Sequence, residues 1–367
     1  MSKRFPNEGR LVATLSDGLG SGVKANILAI MTATMATRFI SAERDVVHSA
    51  ETIMDALPVC AVRKISYSTF SIVDCYDSGS ATVVEEGNPE FLFLRDGKEV
   101  ELEKEFLVSS KYPDRKMKVA KFQLQVGDRI VLCSDGVTQA GLGSELWKLG
   151  WRRKGLLQYV LNEIHADPNV SSRALSRKIV DEATRKEPGV VANDDISAAV
   201  FYFRKPRKLL FWTGPPFSSD RDREIAERFA NFPGKKAISG GTTANIAARE
   251  LRREITMKPR EKFARSSVPL ASRMEGVDLI TEGVLTLAKT IEYLSDDARP
   301  STSDAASELA DMFLDADEIE AMVGTKINEA HFDPSLPTRL DFRRNLIDKL
   351  AKTLREKYLK SVNVVYI

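Results

Sequence analysis

The feature that most constrains this chain is a change of rhythm near residue 206. Before it, the short β-branched and aromatic runs LVATL, YSTFSIVDCYD, SATVVEE, EFLFL, RIVLCS and ISAAVFYF are each bounded by Gly, Asp, Asn or Pro, as strands are. EEGNPEFLFLRDGKEV reads as a turn, a strand, an Asp-Gly hairpin turn and a partner strand. VKANILAIMTATMATRFI and amphipathic stretches at 155–165 and 171–186 read as helices. Strands with segregated helices predict an α+β layered domain. Beyond KPRK, read as a linker, strand and helix alternate through LLFWT, REIAERFANF, KKAIS, TANIAARELRREI, VDLIT and VLTLAKTIEYL to a long helix and VNVVYI. That alternation predicts a smaller α/β domain with a mostly parallel sheet. The expected domains are 1–205 and 206–367, which suits a chain of 367 residues.

Charge and cysteine content exclude several functions. With 54 basic and 52 acidic side chains the formal charge is +2, so no global field favours nucleic acid or an anionic membrane. Cys60, Cys75 and Cys133 stand singly in apolar stretches, without the spacing of a disulfide framework or a zinc site. The longest apolar run, around 27–31, is far too short to span a bilayer, and MSKRFPNEGR has no signal-peptide core. A cytoplasmic location is expected.

Three acidic elements stand at predicted strand ends: Ser16-Asp17-Gly18, Ser134-Asp135-Gly136 and Asn193-Asp194-Asp195. Buried apolar runs would deliver these carboxylates to the rim of a sheet. Hard cations such as Mg²⁺ and Mn²⁺ take oxygen ligands of this kind, and Gly lets a backbone carbonyl approach an ion closely. A lone Asp-Gly is ordinarily a turn, and it is the recurrence that points to a metal.

SDGLGSGVKA, VLCSDGVTQA and NDDISAAVF resemble the three central motifs of the SpoIIE-type branch of the PPM (protein phosphatase 2C superfamily) serine/threonine phosphatases. EGNPEFLFLRDGK resembles the hairpin between the first two, and the likeness covers most of 10–204. The resemblance implies a sandwich of two antiparallel sheets flanked by helices, with two Mn²⁺ or Mg²⁺ ions at one edge. It matches Asp17 to a bridging metal ligand, Gly18 to a carbonyl ligand, and Asp135 and Asp194 to the rest of the shell, with Asp195 at a neighbouring position. It implies hydrolysis of phosphoserine or phosphothreonine by metal-activated water, without a covalent enzyme nucleophile. The implied partner is a phosphoprotein of bacterial signalling, such as an anti-sigma-factor antagonist in partner switching; a homodimer is left open. Relatives carry a further strand with a Gly-Asp pair ahead of the first motif, and MSKRFPNEGR contains none. Either the natural start lies upstream or a strand and a ligand are lost, and low activity is expected of the chain as written.

The remaining signals are weaker. His48, His165 and His331 lie on different segments and form no cluster. Gly18, Gly20 and Gly22 lack dinucleotide-loop spacing. Gly240-Gly241-Thr242-Thr243, between a strand and a helix, can bind an anion through free amides or can be a plain turn capped by Thr242 or Thr243. With the GPP loop at 214–216 it would line one crevice of the second sheet. The competing function is a weakly active phosphatase-like regulator or a phosphoanion-binding protein.

Overall fold

The computed structural model describes residues 1–20, 22–43, 45–57, 68–109, 111–192, 194–257, 268–296, 303–326 and 339–367. Cys60, Asn193 and His331 lie outside the described residues. The chain divides into two compact units, Met1–Lys205 and Pro206–Ile367.

The first unit contains β1 (Ser2–Phe5), β2 (Arg10–Gly18), α1 (Val23–Glu43), α2 (Val46–Ala56), β3 (Ser68–Tyr76), β4 (Ser80–Glu86), β5 (Leu92–Arg95), β6 (Lys98–Glu99), β7 (Glu105–Val108), β8 (Lys116–Gln123), β9 (Arg129–Cys133), α3 (Asp135–Thr138), α4 (Arg152–Ala166), α5 (Ser172–Lys186) and β10 (Ala198–Tyr202). They form two antiparallel sheets, ordered β1-β2-β3-β4-β8-β7 and β10-β9-β5-β6. The two-residue period of a strand dictates the layering. Val73, Val83, Ile130 and Leu132 face the space between the sheets. Their neighbours Ile72 and Val84 pack under α1 and α2, and Val131 and Cys133 pack under α4 and α5. Strands buried on both faces therefore carry consecutive apolar residues, as Ile72-Val73, Val83-Val84 and Ile130–Cys133 do.

Ser2–Phe5 forms the edge strand β1 ahead of β2, joined through a turn in which Gly9 adopts φ 57°. Asp96 and Gly97, at φ 51° and 70°, make the Asp-Gly hairpin between β5 and β6. The helices at 155–165 and 171–186 are α4 and α5. Trp147 and Trp151, four residues apart, do not share a helix. They lie in the approach to α4, where Lys186 Nζ sits 4.4 and 4.9 Å from their rings.

The second unit contains β11 (Lys208–Thr213), α6 (Asp222–Ala230), β12 (Lys235–Ser239), α7 (Gly241–Leu251), β13 (Thr256–Met257), β14 (Ser272–Met274), β15 (Val277–Thr281), α8 (Val284–Asp296), α9 (Ala305–Asp315), β16 (Glu318–Val323), α10 (Arg339–Glu356) and β17 (Ser361–Tyr366). Its sheet runs β13-β14-β15-β12-β11-β16-β17, with the last five strands parallel. Leu209 and Phe211 point to the side of α8, α9 and α10, and Leu210 and Trp212 to the side of α6 and α7. No described helix is long and apolar enough to cross a membrane.

Glu85 of β4 is 4% exposed, accepts a hydrogen bond from the Phe91 amide at 2.8 Å and lies 3.6 Å from Lys104. Burial pushes its carboxyl from 4.5 up to about 7. The folded state therefore holds this proton more tightly than the unfolded chain. The associated stability is full below pH 4.5 and is lost as pH rises to 7, on the order of 3 kcal/mol. Glu85→Gln keeps the acceptor for Phe91 and is expected to flatten this fall, seen as a smaller drop in Tm between pH 5 and pH 7.5.

Candidate functional site

Three chain segments end at one rim of the first unit. β2 carries Asp17 and Gly18 at its C-terminal end. β9 stops at Cys133, and Ser134-Asp135-Gly136 turns directly into α3. Asp194 and Asp195 precede β10, which pairs with β9 from Ala198 opposite Cys133. A cleft of about 610 Å³ opens there, lined by Asp17, Gly18 and Asp195 and walled by the small residues Ala25, Ala29 and Ala33 of α1.

Asp17 and Asp135 are half-buried and Asp194 and Asp195 exposed, and Asp17 Oδ1 accepts the Gly18 amide at 2.8 Å. Its carboxyl is pushed from 3.8 up to about 6, first by burial and then by Asp135, with smaller contributions from Asp194 and Asp195, against the Gly18 hydrogen bond. Every charged group in that balance is negative. Asp135 Oδ2 accepts from Gln139 Nε2 at 3.0 Å, and Asp194 Oδ1 accepts the Asp195 amide at 2.9 Å. Asp17, Asp135, Asp194 and Asp195 thus share one field, although 118 and 59 residues separate the three segments (135 − 17 and 194 − 135).

All of these donors are hard oxygens, the set preferred by Mg²⁺ and Mn²⁺. Thr14, which also lines the cleft, has its hydroxyl buried with no hydrogen-bond partner among the described residues. In chemical kind the residues fit a divalent cation. In position they stand apart: among the described residues no three His, Cys, Asp or Glu side chains gather at one point.

The glycines of the two S-D-G elements have a packing role besides any carbonyl ligation. A Cβ on Gly18 would lie 2.1 Å from the Ala25 carbonyl oxygen, and one on Gly136 would lie 2.6 Å from that of Asp195. Below Asp17, Ser68 Oγ donates to the Asp17 carbonyl at 2.9 Å, and Thr69 Oγ1 donates to Asn88 Oδ1 at 2.5 Å. Ser68 and Thr69 carry no motif signal and are found through the β2–β3 register, which places Thr69 opposite Asp17; Asn88 lies in the EGNPEFLFLRDGK element and is reached through Thr69.

Neither His48 nor His165 lines the cleft. Burial pushes the thiols of Cys75 and Cys133 up to about 12, far from a reactive thiolate at neutral pH. In the second unit, α7 begins at Gly241 after Gly240, at φ 117°, and Thr242 is exposed. Capping by either threonine is one of the alternatives the sequence leaves open, and neither caps the helix by a side-chain hydrogen bond. Thr243 Oγ1 instead accepts the Gly214 amide at 2.9 Å and is buried.

The family description for stage II sporulation protein E (SpoIIE) matches residues 7–204, more than half of the chain. The chain belongs to the SpoIIE family. Among solved structures, it resembles the RsbU and RsbW domains of Rv1364c from Mycobacterium tuberculosis at 18% identity, covering 60% of this chain and 59% of that one, with TM-score 0.44. The chain therefore spans less than two thirds of that protein. The phosphatase domain of SpoIIE from Bacillus subtilis matches at 16% identity, covering 52% of this chain and 78% of that one, with TM-score 0.37. RsbX in complex with magnesium matches at 17%, covering 54% and 83%, with TM-score 0.37. No curated protein matches the sequence.

Gly18→Ala is expected to drive a methyl into the backbone of α1. The cost should be about 2 kcal/mol, read as a lower urea midpoint at unchanged slope. An unchanged midpoint would show that α1 shifts freely at this point.

Proposed function

We propose that the first unit is a metal-dependent phosphatase acting on phosphoserine and phosphothreonine in proteins, with Asp17, Asp135 and Asp194 as carboxylate ligands and Gly18 offering its carbonyl. The observation that carries this reading is the field at Asp17, which lines the cleft beside Asp195 and whose carboxyl is raised by burial and by Asp135, Asp194 and Asp195. Membership of the SpoIIE family supports it. Two Mn²⁺ or Mg²⁺ ions are the expected complement. When bound, such ions supply an activated water and neutralise charge on the phosphoryl oxygens. The chain's own contribution is to hold the acidic side chains on strand ends and to wall the cleft with α1.

The substrate we infer is a folded signalling protein, an anti-sigma-factor antagonist of a partner-switching circuit, presenting a phosphorylated loop to the open cleft. A homodimer is part of the same proposal and is read by light scattering. Domains 1–205 and 206–367 would then divide catalysis from a second activity. For 206–367 we propose uptake of a phosphoanion at the α7 amides of Gly241 and Thr242.

Hydrolysis of an aryl phosphate that depends on Mn²⁺ and is abolished by EDTA is the expected result. Its absence would leave a phosphatase-like regulator. Asp17→Asn and Asp135→Asn are each expected to lower turnover by about a hundredfold or more, roughly 3 kcal/mol. Cys133→Ser should keep turnover, because no thiol takes part. Space around Gly241 is open, so Gly241→Val should fold, lose phosphoanion binding by calorimetry and retain the first unit's hydrolysis.

A further inference from the structure

The serine of each S-D-G element is not a ligand in the reading above, yet both serines are engaged at the point where the acidic segments meet the sheets. Ser134 is 1% exposed; its hydroxyl donates to the Asp195 carbonyl at 2.8 Å and accepts the Ser197 amide at 3.0 Å. Its own amide donates to the Ser197 carbonyl at 2.9 Å. The last registered rung between β9 and β10 is Cys133 opposite Ala198, and the Ser134 amide and hydroxyl together carry the pairing one residue further, to Ser197 and Asp195. On the other sheet, Ser16 Oγ donates to the Thr69 carbonyl at 2.8 Å and lies 2.9 Å from Ser68 Oγ, whose hydroxyl holds the Asp17 carbonyl.

We propose that Ser134 is a positioning residue that fixes the spacing between Asp135 and the Asp194–Asp195 segment, with Ser16 as its counterpart at Asp17. The two serines thereby set the cation affinity of the site without touching the cation. This rests on the metal-site reading given above. Asp194 and Asp195 are exposed and belong to no strand, and they carry the same charge as Asp135. Repulsion pushes the two segments apart, and the hydroxyl of the buried Ser134 ties them together. Gly136 acts with it, because its missing Cβ is what lets the Asp195 carbonyl approach. In each triplet the outer residues anchor the backbone and the central aspartate is presented.

The experiment is calorimetric titration of the full chain with Mn²⁺ alone, with Tm recorded for every variant. Ser134→Ala is expected to weaken Mn²⁺ binding by about tenfold or more, as loss of an orienting partner does, and Ser134→Thr to stay within about threefold of the parent. Ser176→Ala is the control. Its hydroxyl donates to the Ala198 carbonyl at 2.7 Å, on the same strand β10. It should lower Tm and leave Mn²⁺ affinity unchanged. If Ser134→Ala does not fold, Ser16→Ala gives the same reading at Asp17, with the same tenfold loss expected. Parent-like Mn²⁺ affinity in the folded alanine variant overturns the proposal, as does an equal loss in Ser176→Ala. A parent chain that binds no Mn²⁺ defeats the metal-site reading itself, a result separable from both.

Discussion

Like charges in a poorly solvated place repel strongly, and a fold that gathers them must hold them by other means. Elsewhere in the first unit, several buried charges are paired. Arg10 bonds Asp74 through two nitrogens at 2.8 Å, Arg95 reaches both oxygens of Asp128, and Arg115 lies 3.1 Å from Glu86. At the cleft the balance is different: Asp17 feels burial and three aspartates, and its carboxyl rises to about 6. The two sheets, each buried on both faces, supply the stiffness that resists this repulsion. β2 and β9 end at the rim and cannot retreat without unpacking Val12 from beneath α1 and α2 or Val131 from beneath α4 and α5.

That stiffness is why so much of the architecture is legible in the sequence. Strands buried on both faces must be apolar throughout, so LVATL, RIVLC and LLFWT announce themselves, and turns such as Asp96-Gly97 follow from the positive φ they require. β7, β8, α2, α9 and β16 give no such signal. β8 reads KMKVAKFQ, in which Lys116, Lys118 and Lys121 interrupt the buried Met117, Val119 and Ala120, beside the edge strand β7. β16 is an interior strand, paired on both sides, yet contains Glu318 and Glu320; these lie toward its N-terminal end, where Lys208 and Arg228 pair with them. Charge compensated by a strand or helix distant in sequence cannot be foreseen from the local pattern.

The candidate site divides the same way. Asp17, Asp135 and Asp194 are legible because an acidic residue at the end of an apolar run has few structural reasons to be there. Ser68 and Thr69 are not, because their relation to Asp17 exists only after a strand more than 50 residues away has been laid beside β2 (68 − 17 = 51). Glycine was legible for a partial reason. Close backbone approach is indeed what Gly18 and Gly136 provide, and the approaching groups in the structure are carbonyls of Ala25 and Asp195.

The second unit shows how topology and local packing separate. Its chain order reverses between β11 and β16, and in doubly wound sheets the crevice at such a reversal is the usual ligand site. Here that crevice is closed by backbone: the Gly324 amide donates to the Thr213 carbonyl at 2.8 Å, and a Cβ on Gly324 would lie 2.1 Å from the Pro215 carbonyl oxygen. The GPP loop is therefore part of the seal between two strands rather than one wall of a shared crevice with the GGTT loop, and the Thr243 hydroxyl bound to the Gly214 amide fastens it further. Open space lies one strand over, at the ends of β12 and β15, where Gly240 and Gly283 face each other with a Cβ on Gly283 3.7 Å from the Gly240 Cα, and where nothing crowds Gly241. The room in this unit thus lies at the start of α7 and not at the reversal point, where Gly214 and Gly324 serve closure.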